Sequence, residues 1–157
     1  VETQYVATGE TFNPNSAGLL FGQGDGDTAD VSFDFAAQAG SGMSDEVENV
    51  AFRINDVDAL SGNHWDEFTV TAFDADGNPV AVTLTPAGND TVSGNTVTAD
   101  PTSNEDPDQA LSSVLIEVAG PVSQIVVSYG NLDVNTQGIY FTDVQFTTIP
   151  TTTAGST

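Results

Sequence analysis

Sixteen Asp and seven Glu stand in this chain against one Arg, one His, no Lys and no Cys. Carboxylates are therefore the most abundant ionisable groups available for chemistry. Closely spaced carboxylates either move protons or bind hard cations through oxygen. The densest cluster is Asn55-Asp56-Val57-Asp58. In an extended segment, side chains two residues apart point the same way, about 6–7 Å from one another. One ion can bridge that gap, so Asp56 and Asp58 are candidate ligands. Asp66, at the far end of the same loop, is placed to close the shell, with backbone carbonyls supplying the rest. The competing reading is Asx-turns capping a strand end.

Three further acidic stretches are weighed in the same way. In Gly22-Gln23-Gly24-Asp25-Gly26-Asp27, glycine alternates with acid, which lets a loop wrap tightly around a cation. Asp25 and Asp27 are thus candidates, against the reading of a solvated loop before a strand. Asp74-Ala75-Asp76-Gly77-Asn78 starts like an EF-hand loop. Its twelfth position falls on Thr85, however, and strands flank it, so a hairpin turn is expected. Asp143 sits in Ile139-Tyr140-Phe141-Thr142-Asp143-Val144-Gln145-Phe146, on the face that alternation gives to Ile139 and Phe141. An acid there calls for a bulge or for a metal at a sheet rim, and Asp143 is taken as the long-range partner of a calcium site.

His64 and Trp65 share the loop of the first cluster. An indole beside a bound ion can stack on a sugar ring, so both are candidate ligand-binding residues; the competing role is packing. A single His with no Cys is poor zinc chemistry. With neither Lys nor Cys, no G-x-S-x-G motif and no phosphate-binding glycine loop, the chain is expected not to be an enzyme. Arg53, the one strong cation, is expected on an outward strand face, paired with an acid in an exposed contact worth about 0–1 kcal/mol.

The elements that must position these residues read as strands. Thr, Val, Ser, Asp and Gly dominate, and short β-rich blocks alternate with Gly/Asn/Asp/Pro punctuation. Val31–Phe35 turns Val31, Phe33 and Phe35 to one face. Val50–Asn55 turns Val50, Phe52 and Ile54 inward and Ala51, Arg53 and Asn55 outward. Phe68–Phe73 and Val80–Leu84 form a hairpin, as do Thr91–Val92 and Thr96–Ala99. Val114–Val118, Ile125–Tyr129 and Ile139–Phe146 complete the set, with an edge strand at Gln4–Thr8 and a polar loop over 100–110. The fold class expected is all-β, a two-sheet β-sandwich, with a jelly roll ahead of an immunoglobulin-like sandwich. The organisation expected is an extended segment over 1–16, the sandwich over 17–148, and a Thr-rich tail or linker over 149–157.

A net charge of −22 repels phosphate backbones and anionic lipid, so nucleic acid is not an expected partner. No apolar run approaches a membrane span, and membrane insertion is not expected either. The first residues carry neither a charged n-region nor an apolar h-region; for a secreted chain, a signal would have been removed ahead of Val1.

Three segments taken together carry a resemblance: Asp45-Glu46-Val47-Glu48-Asn49-Val50-Ala51-Phe52-Arg53-Ile54-Asn55-Asp56-Val57-Asp58, Phe68-Thr69-Val70-Thr71-Ala72-Phe73-Asp74-Ala75-Asp76-Gly77-Asn78-Pro79-Val80, and the Ile139–Phe146 stretch. Over about Val31 to Pro150 the chain resembles β-sandwich modules of large secreted, repeat-in-toxin-type (hemolysin-type) calcium-binding adhesins of marine bacteria. The resemblance implies secretion to the cell exterior, calcium, a jelly roll, and adhesion or surface-polysaccharide binding. The chain departs from that context in lacking nonapeptide repeats. The leading expectation is a calcium-stabilised adhesion or carbohydrate-binding module. The alternative is a structural subunit of an extracellular filament or surface layer, adding a strand to neighbouring copies. A third reading is a halophile's secreted protein whose acids serve hydration.

Overall fold

The structure is a computed structural model that describes residues 2–15, 17–22, 24 and 26–151. Its strands are β1 (Gly18–Gly22), β2 (Thr28–Asp34), β3 (Met43–Asn55), β4 (Ala59–Leu60), β5 (His64–Phe73), β6 (Pro79–Val80), β7 (Thr83–Pro86), β8 (Thr91–Ser93), β9 (Thr96–Thr98), β10 (Val114–Val118), β11 (Gln124–Asn131), β12 (Gln137–Phe141) and β13 (Gln145–Pro150). A short 3₁₀ turn, Ala110–Ser112, precedes β10. The strands form two antiparallel sheets. One runs β1-β12-β3-β10-β7 with β13 also on β3, and the other runs β2-β11-β5-β9-β8 with β4 and β6 also on β5. The two-sheet sandwich expected from composition is what forms.

Alternation places the core. Val50, Phe52 and Ile54 of β3, Val114, Ile116 and Val118 of β10, and Ile139 and Phe141 of β12 are buried on one sheet. Phe68, Val70 and Ala72 of β5 and Ile125, Val127 and Tyr129 of β11 are buried on the other. These are period-2 positions facing one shared apolar layer.

Several expectations are corrected. β3 starts at Met43 rather than Val50. Asn49, at φ 52°, inserts an extra residue opposite β13, where the register steps from Gln145↔Ala51 to Thr147↔Glu48. Asn tolerates the left-handed region, and this bulge shifts the buried parity from Val47 to Val50, hiding the first half of the strand from alternation. The Phe68–Leu84 hairpin holds only for Ala72↔Val80 and Phe73↔Pro79; the chain then crosses to the other sheet, where β7 pairs with β10. The Asp74 turn is as expected: Asp74 Oδ1 accepts the N–H groups of Asp76 (3.0 Å) and Asn78 (2.8 Å). Gln4–Thr8 is not a strand; the segment makes one isolated bridge, Thr3↔Asn15. Ile139–Phe146 divides into β12 and β13, both along β3. β1, whose Leu19-Leu20-Phe21 lacks alternation, was not foreseen.

Arg53 is the largest correction. It faces away from the core, as expected, yet is only 6% exposed, because residues 2–15 lie over this face of the sheet. Its Nε and Nη2 both donate to Glu10, at 2.7 Å each. Nη1 donates to Ser113 Oγ at 3.0 Å, and the guanidinium stacks 5.1 Å from the Tyr5 ring centroid. The neighbouring Asn55 donates to Gln4 Oε1 at 3.0 Å. The one basic side chain thus pins the N-terminal segment to the sandwich rather than decorating its surface.

Candidate functional site

At the end of β3 the chain turns through Asp56, at φ 66°. Aspartate adopts this backbone more readily than most residues, and the turn carries the chain from the sheet into the loop over 56–63. The Asp56 carboxyl is partly buried, and no described residue donates a hydrogen bond to it. Burial, then the charges of Asp58, Asp106 and Glu2, push its pKa from 3.8 up to about 7. The arrangement opposes ionisation of an acid beside which no described residue places a cation.

Asp58 and Asp66 are brought together, but as hydrogen-bond hubs. Asp58 Oδ2 accepts the Glu105 N–H at 2.9 Å. Asp58 Oδ1 lies 2.8 Å from His64 Nε2 and accepts from Gln137 Nε2 at 3.3 Å. Asp66 Oδ2 accepts the Asp58 N–H at 3.1 Å, and Asp66 Oδ1 accepts the Tyr129 hydroxyl at 2.6 Å. The side chains that were to share an ion therefore tie β5 and β11 to the loops over 56–63 and 100–109. Burial raises the pKa of Asp58 above 3.8 and that of Asp66 to about 8, against the lowering effect of the Tyr129 hydroxyl. The Tyr129 phenol is raised in turn, by burial first and by Asp66 next.

His64 is buried, with Nδ1 3.0 Å from Asn63 Oδ1. Both ring nitrogens face oxygens. Trp65 is 37% exposed. Its Nε1 donates to Ala99 O at 2.8 Å and its backbone N–H to Asn131 Oδ1 at 2.9 Å. The indole is held at its polar edge and partly exposed, as are Leu60 and Leu132.

The remaining candidates are distributed differently. Asp27 is exposed at the start of β2, and Asp25 lies outside the described residues. Gly24 does reach the same end of the sandwich: a side chain there would strike the backbone of Asp133 and Val134, and Asp133 Oδ2 accepts the Gly62 N–H at 2.9 Å. Among the described residues no hydrogen bond joins Asp143 to Asp56, Asp58 or Asp66. The strand breaks around it, and its oxygens accept from Asn13 N–H (2.7 Å) and Gln145 Nε2 (3.1 Å). A break between β12 and β13, rather than a bulge, takes Asp143 off the face of Ile139 and Phe141.

Residue-by-residue reading missed Asp106, Glu105, Glu2 and Tyr129. The first two had a visible signal, since four acids fall within residues 100–108. Glu2 and Tyr129 had none, because only the fold brings them here. Among the described residues no three His, Asp or Glu side chains converge closely enough to hold an ion by themselves. An ion at Asp56 would draw on backbone or amide carbonyls as well, the donor mixture that calcium accepts. A scan against protein-family models and searches of curated proteins and of solved structures find no match to the chain.

Proposed function

We propose that the chain is a calcium-stabilised, extracellular adhesion or carbohydrate-binding module with a jelly-roll fold. Asp56 carries the reading. It is a desolvated carboxyl with acids on several sides and no described donor, in a chain whose one Arg is engaged elsewhere. A bound divalent cation would favour the charged form that the protein alone opposes. A site built from few carboxylates binds calcium at the weak end of the range, which suits the millimolar calcium outside cells. Trp65 offers a ring edge-anchored on Ala99 O, in the manner of an aromatic platform for a sugar face. The jelly-roll reading is supported by connectivity. Taking β1, β2, β3, β5, β9, β10, β11 and β12 as strands one to eight, the sheets read 1-8-3-6 and 2-7-4-5, the order of two interleaved Greek keys. We read no catalytic role, since the chain has one His, no Lys and no Cys.

Calorimetric titration with CaCl₂ tests the calcium half. A binding phase that disappears in Asp56→Asn supports it, and wild-type protein giving no heat at millimolar calcium ends it. Trp65 fluorescence titrated with polysaccharides tests the second half; no response from any glycan class, with calcium bound, removes the sugar-binding reading.

A second reading, a subunit assembling by strand addition, is favoured by one observation. β13 pairs only with β3, and beside it a groove of ≈ 670 Å³ opens between the sheets, lined by Phe33, Phe35, Met43, Val47, Val144 and Phe146 among others. Edge strands without charge are templates for pairing. Sedimentation with calcium present decides it: a monomer at every concentration rules the subunit reading out.

A further inference from the structure

A second buried carboxyl lies outside the 56–66 segment, at Asp90. Asp90 precedes β8 and is 8% exposed. Its Oδ1 accepts the Asp100 N–H at 3.0 Å, so the carboxylate faces the start of that loop. Its Oδ2 is buried and has no partner among the described residues. The other two orphaned side-chain atoms, Gln4 Nε2 and Asn55 Oδ1, belong to neutral amides; Asp90 is the one that carries charge. Buried polar groups are almost always partnered, and an orphan asks for an unseen water or ion.

The surroundings select between these. Asp100 presents a second carboxylate, with Oδ1 held by the Thr102 N–H (2.9 Å) and hydroxyl (2.7 Å). Asn89 lies close to Asp100 as well. Asp58 adds its negative field to Asp90. A water would leave this excess negative charge in place, and no Lys exists to neutralise it.

We infer that Asp90, Asp100 and Asn89 form a cation site for a hard divalent ion of calcium's class. Two carboxylates match a double positive charge, and an amide carbonyl and backbone oxygens complete an irregular oxygen shell. Calcium tolerates such a shell, whereas magnesium demands near-ideal octahedral geometry. The ion ties the segment before β8 to the loop that begins at Asp100. The preceding residue, Ala99, carries the carbonyl that holds Trp65, so the site fixes the strand end on which the indole rests. This inference uses none of the Asp56 ligands and stands or falls separately from the calcium reading there.

Terbium luminescence excited through Trp65, the sole Trp, tests it on the full chain, alongside melting with CaCl₂ and with chelator. Asp90→Asn keeps an acceptor for the Asp100 N–H but removes the orphaned charge. It weakens terbium binding roughly tenfold or more, melts at or above wild type in chelator, and gains less than wild type from calcium. Asp100→Asn, at a less buried position, weakens terbium binding likewise, while Asp56→Asn leaves this binding phase intact. Wild-type terbium binding in both Asp90→Asn and Asp100→Asn overturns the inference. So does an Asp90→Asn melting deficit of equal size with and without calcium. Terbium binding abolished by Asp56→Asn alone would overturn it while leaving the Asp56 reading standing.

Discussion

Removing the Arg53–Glu10 pair is the sharpest perturbation of the fold. Arg53→Met leaves the Glu10 carboxylate facing an apolar thioether and takes the donor from Ser113 Oγ. Glu10→Gln leaves a guanidinium, 6% exposed, against a neutral amide. The pair is bidentate at 2.7 Å, and its side chains are 7% and 21% exposed, so solvent screens it little. Breaking one side of such a pair costs about 3 kcal/mol or somewhat more. At this chain length that is a fall in Tm of about 6–12 °C. The double variant loses the pair only once, so it costs about 3 kcal/mol rather than twice that, a coupling of about 3 kcal/mol. Urea unfolding of the four proteins measures the cycle. The pH dependence has a definite sign. The hydrogen bond from Arg53 holds the Glu10 carboxyl below its ordinary 4.5. The pair's contribution is therefore full above pH 4.5 and is lost as pH falls through the lower, folded value. Single costs under about 0.5 kcal/mol that simply add would mean a solvated pair and would refute the burial argument.

Other expectations follow from the same geometry. In chelator, Asp56, Asp66 and Asp90 titrate near 7, 8 and 6, above their ordinary 3.8. The folded chain then holds protons that the unfolded chain releases, so stability falls as pH rises from about 4.5 to about 8; denaturant midpoints flat or rising over that window contradict it. Tyr129→Phe removes the donor to Asp66 Oδ1 and costs about 1–3 kcal/mol in urea unfolding; no loss means the contact contributes nothing. Asn49→Gly is neutral or stabilising, whereas Asn49→Val costs about 1–2 kcal/mol for a β-branched residue at φ 52°; equal midpoints for the two would refute the bulge.

The sandwich was legible where one face of a strand meets the core. β10, β11 and β5 from Phe68 onward alternate, and every second residue, apolar at all but Asn131, is buried. Legibility failed where backbone geometry changed parity, at Asn49, and where the chain switched sheets, after Val80. It failed at Arg53 for another reason: alternation fixes which face a side chain takes but not what covers that face. The acidic loop was legible as a place. Asp56, Asp58, Asp66, His64 and Trp65 do lie at one end of the sandwich. Their division of labour was not legible, because lone pairs are assigned by partners distant in sequence. Tyr129 and Glu105 occupy the oxygens of Asp66 and Asp58, while Asp56, on the same short segment, has no described donor. Asp143 showed the limit of face-counting: a break in the strand placed it against Asn13 instead of among apolar neighbours.

The central proposal is that calcium completes the Asp56 end of the sandwich. Thermal melting of wild type and Asp56→Asn, with millimolar CaCl₂, with MgCl₂ at equal ionic strength and with chelator, tests it most directly. The account predicts a rise in Tm with calcium alone that grows with its concentration, and a smaller rise in Asp56→Asn. Equal melting in all three media, or equal stabilisation of the two proteins by calcium, would contradict it.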